Sequence, residues 1–178
     1  DLAEVVPGFE VAKGIGSGSG FVMRGIGSYG VGAAVVSSIV TSVNGHSVNP
    51  SIMTDMGFMD LERIEVLNGP QGTLFGRNSV AGVINLITKR PTDEFEGFVR
   101  YESGSWDKET IQGAINLPFS DNVSARLAFM TNTRDGMVDN PFTGNVMDDR
   151  NDEAVRLSID WDINDTTELR FTYSGQKS

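Results

Sequence analysis

From Glu96 onward the chain alternates apolar and polar residues through five consecutive segments, and a period of two restricts this half to β-strands with one apolar and one polar face. Val99 and Tyr101 oppose Glu96, Arg100 and Glu102 in the first segment. Ile111, Gly113, Ile115, Leu117 and Phe119 oppose Thr110, Gln112, Ala114 and Asn116 in the second. Val123, Ala125, Leu127 and Phe129 then oppose Ser124, Arg126, Ala128 and Asn132. Val155, Leu157, Ile159 and Trp161 oppose Arg156, Ser158 and Asp160, and Leu169, Phe171 and Tyr173 oppose Glu168, Arg170 and Thr172. Two architectures share this pattern: an antiparallel sandwich with one wet face, and a transmembrane barrel with one lipid face. Parity alone does not separate them.

Connection lengths do. Ser120-Asp121-Asn122 and Asn164-Asp165-Thr166 are tight turns, whereas the stretch from Arg134 to Asp152 is a loop of roughly 20 residues, far above the usual connection of about 4–6. Outer-membrane barrels have short periplasmic turns and longer outer loops. A first strand rising from the periplasmic side places both tight turns inside and the long loop outside. The remaining link, Gly104 to Asp107, is short for an outer loop.

Composition removes other classes. With 14 basic and 24 acidic side chains the net charge is −10, which repels a nucleic-acid backbone. Cysteine is absent, so no disulfide framework exists. No apolar run approaches the roughly 20 residues of a membrane helix. A mean hydropathy of −0.16 is compatible with barrel strands, in which only alternate residues are apolar. The chain begins at Asp1 with neither a start methionine nor a signal segment and is expected to be an internal piece of a longer protein.

The first half offers an enzymatic alternative. Gly25-Ile26-Gly27-Ser28-Tyr29-Gly30 is formally GxGxxG after a β-like Phe21-Val22-Met23, and Val31 to Val40 can be drawn as a following helix. The acidic ribose-binding partner expected about 20 residues later is missing, and no alternating βα pattern follows. The glycines suit a loop-rich segment that turns and packs closely. Gly72 to Arg77 has neither the spacing nor the lysine of a phosphate-binding loop. His46 is the only histidine, so no two-histidine metal site can form, and no catalytic triad is assembled. Asp148, Asp149, Asp152 and Glu153 lack the ligand spacing and glycine of an EF-hand and read as a solvated loop. Met53, Met56 and Met59 recur at a spacing of three that suits packing. No enzyme activity, cofactor or metal is expected.

Between the two halves lies Asp60 to Pro91, DLERIEVLNGPQGTLFGRNSVAGVINLITKRP. Read locally, Arg63 to Leu67 is a β run, Asn68-Gly69-Pro70 and Gln71-Gly72 are turns, Leu74 to Asn78 is a compact loop, and Val80 to Lys89 is a second β run. This block resembles the plug-domain signature of TonB-dependent outer-membrane receptors. Asp1 to Glu10, DLAEVVPGFE, resembles the middle of the same plug. Phe21-Val22-Met23-Arg24-Gly25-Ile26-Gly27 resembles its FxxRGxG segment, and the strands from Glu96 resemble the start of the barrel. Two departures occur. Asn44-Gly45 stands where the family has Asp-Gly, a change that keeps the tight turn because Asn tolerates positive φ. Asn68 stands where an arginine precedes Gly-Pro-Gln-Gly, which removes a charge.

The resemblance implies a mostly β chain: a mixed α/β plug domain over residues 1–92, followed over 93–178 by the first antiparallel strands of an incomplete transmembrane barrel. It implies TonB-dependent uptake of a scarce ligand, such as iron-siderophore, cobalamin or oligosaccharide, across the outer membrane of a Gram-negative bacterium. A receptor of the same architecture acting in capture or signalling is the alternative. The implied partners are outer-membrane lipid, a small extracellular ligand and the TonB complex, the last through a segment expected before Asp1. Arg100, Arg126, Arg156 and Arg170 share the polar parity, and facing them to lipid would cost about 2–4 kcal/mol each near the midplane. They are therefore expected to face the lumen. There the plug residues Glu62, Arg63 and Glu65 are candidates for contact with them, carboxylate to guanidinium.

Overall fold

The computed structural model describes residues 8–13, 19–23, 25–27, 38–48, 58–75, 79–139, 141 and 146–177. The chain divides into two units, 1–88 and 89–178.

The first unit holds two sheets. β1 (Phe9–Lys13), β2 (Ser19–Met23) and β3 (Ile26–Gly27) form an antiparallel trio. β4 (Ile39–Val43), β5 (His46–Val48), β6 (Leu61–Asn68) and β7 (Gly82–Thr88) form a mixed sheet in the order β5-β4-β7-β6. β7 is central, parallel to β4 and antiparallel to β6. A central strand is covered on both faces, which accounts for the nearly unbroken apolar run Val83, Ile84, Leu86, Ile87. Ile84 and Leu86 pack with Met23, Ile39 and Ala81, so the core seats β2 against the mixed sheet. Gly82 is required at their meeting: a Cβ there would lie 2.5 Å from the Leu67 carbonyl oxygen and equally close to Met23 Sδ.

One polar residue interrupts β7. Asn85 is buried, and its amide is engaged on both sides. Its Oδ1 accepts from Ser42 Oγ at 2.8 Å and from Gly45 N–H at 3.0 Å, while its Nδ2 donates to Glu65 Oε2 at 2.9 Å. Asn85 thus joins β4, the β4–β5 turn and β6. Asn44 and Gly45 make that turn with φ of 51° and 82°, as the Asn-Gly pair predicts. The Asn44 side chain accepts from Thr88 N–H at 3.0 Å and donates to Thr88 Oγ1 at 3.0 Å, which fastens the turn to the end of β7.

The structure corrects one local expectation and removes the helix of the enzymatic alternative. Gly72–Phe75 is a short helix, α1, where the turn at Gly72 and the start of a loop at Leu74 were expected. Phe75 N–H donates to the Gln71 carbonyl at 3.0 Å, closing its single turn, while residues 76–78 lie outside the described ones. Ile26 and Gly27 pair back onto Met23 and Val22, so Gly25 to Gly27 close a hairpin rather than open a helix. The rest of the GxGxxG stretch, Ser28 to Gly30, and residues 31–37 lie outside the described residues, but Ile39 and Val40 belong to β4 rather than to a helix.

The second unit is one antiparallel sheet with a small appendage. β8 (Glu96–Gly104), β9 (Lys108–Ser120) and β10 (Val123–Arg134) run as a meander. β11 (Val138–Asp139) and β12 (Val146–Met147) pair within the long connection. β13 (Arg150–Asn164) and β14 (Thr167–Lys177) complete the order β14-β13-β10-β9-β8. The connection expected as a loop from Arg134 to Asp152 is therefore shorter, residues 135–149, and carries its own ladder. It is held at its base by Arg134 Nη2 on Asp148 Oδ2 at 2.9 Å and by Asp135 N–H on the Trp106 carbonyl at 2.9 Å. No helix among the described residues is long and apolar enough to cross a membrane.

Truncating the central core residue tests this packing. Ile84→Ala in the full-length protein should destabilise the first unit by about 2–5 kcal/mol. Asn85→Ala should cost about 1–3 kcal/mol by stranding the Ser42 hydroxyl and Gly45 N–H. Both losses should appear as faster hydrogen exchange at β4 and β7 amides while β10 amides remain protected.

Candidate functional site

The register of the five-stranded sheet assigns every side chain to a face. Gly97, Ile115, Leu127, Leu157 and Tyr173 lie in one row, flanked by the row of Val99, Gly113, Phe129, Val155 and Gly175 and by that of Leu117, Ala125, Ile159 and Phe171. Rows of the opposite face hold Glu96, Asn116, Arg126, Ser158 and Thr172, then Phe98, Ala114, Ala128, Arg156 and Ser174, then Ser124, Asp160 and Arg170.

Burial runs opposite to that of a water-soluble sheet. On β13 the residues with the polar parity, Asp152, Ala154, Arg156, Ser158 and Asp160, are all buried. Arg126 is 2% exposed and Arg156 6%, against 73% for Val99 and 55% for Phe171. A soluble sandwich would have the reverse, because covering the apolar face is what drives its folding. The apolar face is instead the open one. Along β13 it runs from Trp161 to Val155, and charge returns in the next row with Glu153 opposite Lys177. The eight residue steps from Trp161 to Glu153 span about 26 Å at about 3.3 Å each. An outer-membrane barrel presents an apolar band about 25 Å tall.

The polar face is laced with ion pairs. Arg126 Nη1 meets Glu96 Oε1 at 3.1 Å, and Lys89 Nζ meets the same oxygen at 2.7 Å. Asp160, 8% exposed, takes Arg170 Nε on Oδ1 at 2.7 Å and Arg90 Nη2 on Oδ2 at 2.8 Å. Glu168 accepts from Arg170 Nη2 at 2.5 Å and also from Arg90. Asn116, fully buried in the middle of this face, binds the backbone of Thr92 and Glu94.

The four arginines expected on one face do share it: Arg126, Arg156 and Arg170 by the pairings above, and Arg100 through its pairing with Gln112. Arg126 and Arg156 are buried, while Arg100 and Arg170 are exposed. Glu62, Arg63 and Glu65 form a triad of their own on β6. Arg63 Nη1 donates to Glu62 Oε1 at 2.7 Å, and Arg63 Nε donates to Glu65 Oε1 at 2.9 Å. The Asn85 amide, seconded by Arg63, holds the Glu65 carboxyl below the ordinary glutamate range, and Glu65 in turn raises Arg63. A lowered carboxyl contributes stability above its unfolded value, and that contribution is lost as pH falls through the folded one. The site is open, so the effect is small.

Sequence reading missed Arg90, Asn116, Asp160, Glu168, Lys89 and Glu96 as a connected group. Parity placed Glu96, Asn116, Asp160 and Glu168 on the polar face, but nothing local signals that residues 89–94 reach across it. His46 is exposed on β5. Among the described residues no group of three His, Cys, Asp or Glu side chains is placed to hold a metal ion.

Comparison with known proteins agrees with this geometry. Residues 1–83 match the model of the TonB-dependent Receptor Plug Domain. The chain is 31% identical over 122 residues to the ferric-pyoverdine 358 receptor of Pseudomonas putida, covering 68% of this chain and 14% of that protein. It is 31% identical over 147 residues to the iron-regulated outer membrane virulence protein of Vibrio cholerae, covering 76% of this chain and 22% of the relative. The crystal structure of the ferric yersiniabactin uptake receptor of Yersinia pestis superposes with a TM-score of 0.84 at 22% identity, over 98% of this chain and 28% of that one. The chain thus spans between about a seventh and a quarter of the length of these relatives. With a plug-type unit followed by a sheet whose apolar face is open and whose polar face is covered, the chain belongs to the TonB-dependent receptors of the Gram-negative outer membrane, a non-enzymatic family, and comprises their plug domain and the first strands of their barrel.

Proposed function

We propose that the receptor carrying this chain takes up a ferric siderophore across the outer membrane, driven by TonB, with a plug over residues 1–92 and wall strands over 93–178. The observation that carries this reading is the open apolar face beside a charged, covered one. Lipid leaves a strand's backbone no partner except its neighbours, so only a closed barrel exposes such a face safely. A barrel of about 22 strands is wide enough to need a plug in its lumen. Siderophore-bound iron is favoured over cobalamin or an oligosaccharide because the relatives quoted are ferric-pyoverdine, ferric-yersiniabactin and iron-regulated receptors.

Contact between the plug and the wall belongs to the same proposal. Glu62 and Glu65 keep lone pairs beyond those that Arg63 occupies, and Arg100, Arg126, Arg156 and Arg170 are the wall groups of matching chemistry. Such pairs hold at rest and can be exchanged when the plug is displaced.

Iron-starved cells that depend on this receptor should accumulate radiolabelled iron supplied as ferric pyoverdine or ferric yersiniabactin. Accumulation should saturate and should stop when the proton gradient is collapsed. Binding of either complex without gradient-dependent accumulation would favour ligand capture or signalling instead.

A further inference from the structure

Residues 89–96 leave β7 and enter β8, yet they are not a free linker. Arg90 reaches Asp160 on β13, with Nε at 3.2 Å and Nη2 at 2.8 Å, and Glu168 on β14. Two residues on, the backbone of Thr92 meets Asn116 on β9: Thr92 N–H donates to Oδ1 at 3.0 Å, and Nδ2 donates to the Thr92 carbonyl at 2.8 Å. The same Nδ2 donates to the Glu94 carbonyl at 2.6 Å. Lys89 and Glu96 close the segment on itself at 2.7 Å. Pro91 is buried between these attachments.

The pattern is a strap tied to all five strands: β14 and β13 through Arg90, β9 through Asn116, β10 through the Glu96–Arg126 pair, and β8 at Glu96, where it becomes the strand. Asn116 acts as a stretch of neighbouring backbone would, offering one acceptor and two donors to a segment that bends at Asp93 and Glu94, and it is fully buried while doing so. Asp160 is shared by two guanidiniums, one from the strap and one from the wall, so the ionic tie is anchored on both sides. The Asp160 carboxylate is buried while both guanidiniums are nearly half exposed, and charge-assisted bonds of this kind are specific in geometry. The mixed sheet immediately upstream ends at Thr88.

We propose that residues 89–96 are a mechanical stop: force applied to the plug rearranges residues up to Thr88 and is then borne by the strap, which keeps the first wall strands from being peeled inward. The proposal rests on the reading that the plug is pulled during uptake, but its test does not need transport or a ligand.

Single-molecule pulling on a handle placed before Asp1, with the full receptor in a lipid bilayer, reads the stop directly. Residues 1–88 give a contour of about 300 Å, and the eight residues of the strap add about 28 Å, at about 3.5 Å per residue. The native receptor should pause at the shorter length before any wall strand yields. Asn116→Asp, which keeps the acceptor and loses both donors, and Asp160→Asn should each move the pause outward by the strap's length or lower its force. Assembly of each variant is confirmed beforehand by heat-modifiable migration. A native receptor that extends past residue 96 without a pause overturns the proposal on its own, as does an unchanged pause in assembled variants. Failed iron accumulation alongside a normal pause would overturn the uptake reading and leave the strap standing.

Discussion

The rest of the second unit depends on one constraint: a strand in lipid must satisfy its backbone through its neighbours and turn its charges away from hydrocarbon. Registers hold for up to twelve consecutive pairs between β10 and β13, with no interruption along that ladder. A slip of one residue would carry Arg126 and Arg156 to the open face and bring Leu127 and Leu157 into the covered one. At about 2–4 kcal/mol for each midplane arginine, such a slip is excluded energetically. The irregularities between neighbouring strands sit at the tight-turn end, near Val123 and Asp162, at the margin of the apolar rows.

The plug unit obeys the opposite rule. Its core is apolar, with Ile84 and Leu86 at the centre. The polar exception, Asn85, is tolerated because all of its hydrogen-bonding capacity that the neighbours can reach is used. Asn85 and Asn116 solve one problem in two units: each joins segments that share no continuous ladder, one across β4 and β6, the other between a strap and a wall.

Much of this was legible in the sequence because it depends on local parity and turn chemistry. Five strands were found at their places, and Asn44-Gly45 was read as a tight turn for the reason the dihedral angles bear out. Strand ends were read short: β13 starts at Arg150 rather than near Val155, because Asn151 to Glu153 carry no apolar residue on the open face to mark it. The helix at Gly72–Phe75 was read as turn and loop, since one turn of helix leaves no periodicity to detect. The β11–β12 ladder was invisible for the same reason, two residues being too few to alternate. The strap was not legible at all. Its bonds join Arg90 to Asp160 and Thr92 to Asn116, partners 70 and 24 residues apart, and the local sequence around Pro91 reads only as a strand end.

The central claim is the inverted polarity of the sheet, and site-directed labelling measures it most directly. In the full receptor in outer membranes, single cysteines at Val99, Leu127, Leu157 and Phe171 should react with a lipid-soluble thiol probe, and cysteines at Arg100, Arg126, Arg156 and Arg170 should be protected from it. The reverse pattern would place the arginines outward, contradict the register and remove the barrel assignment with it.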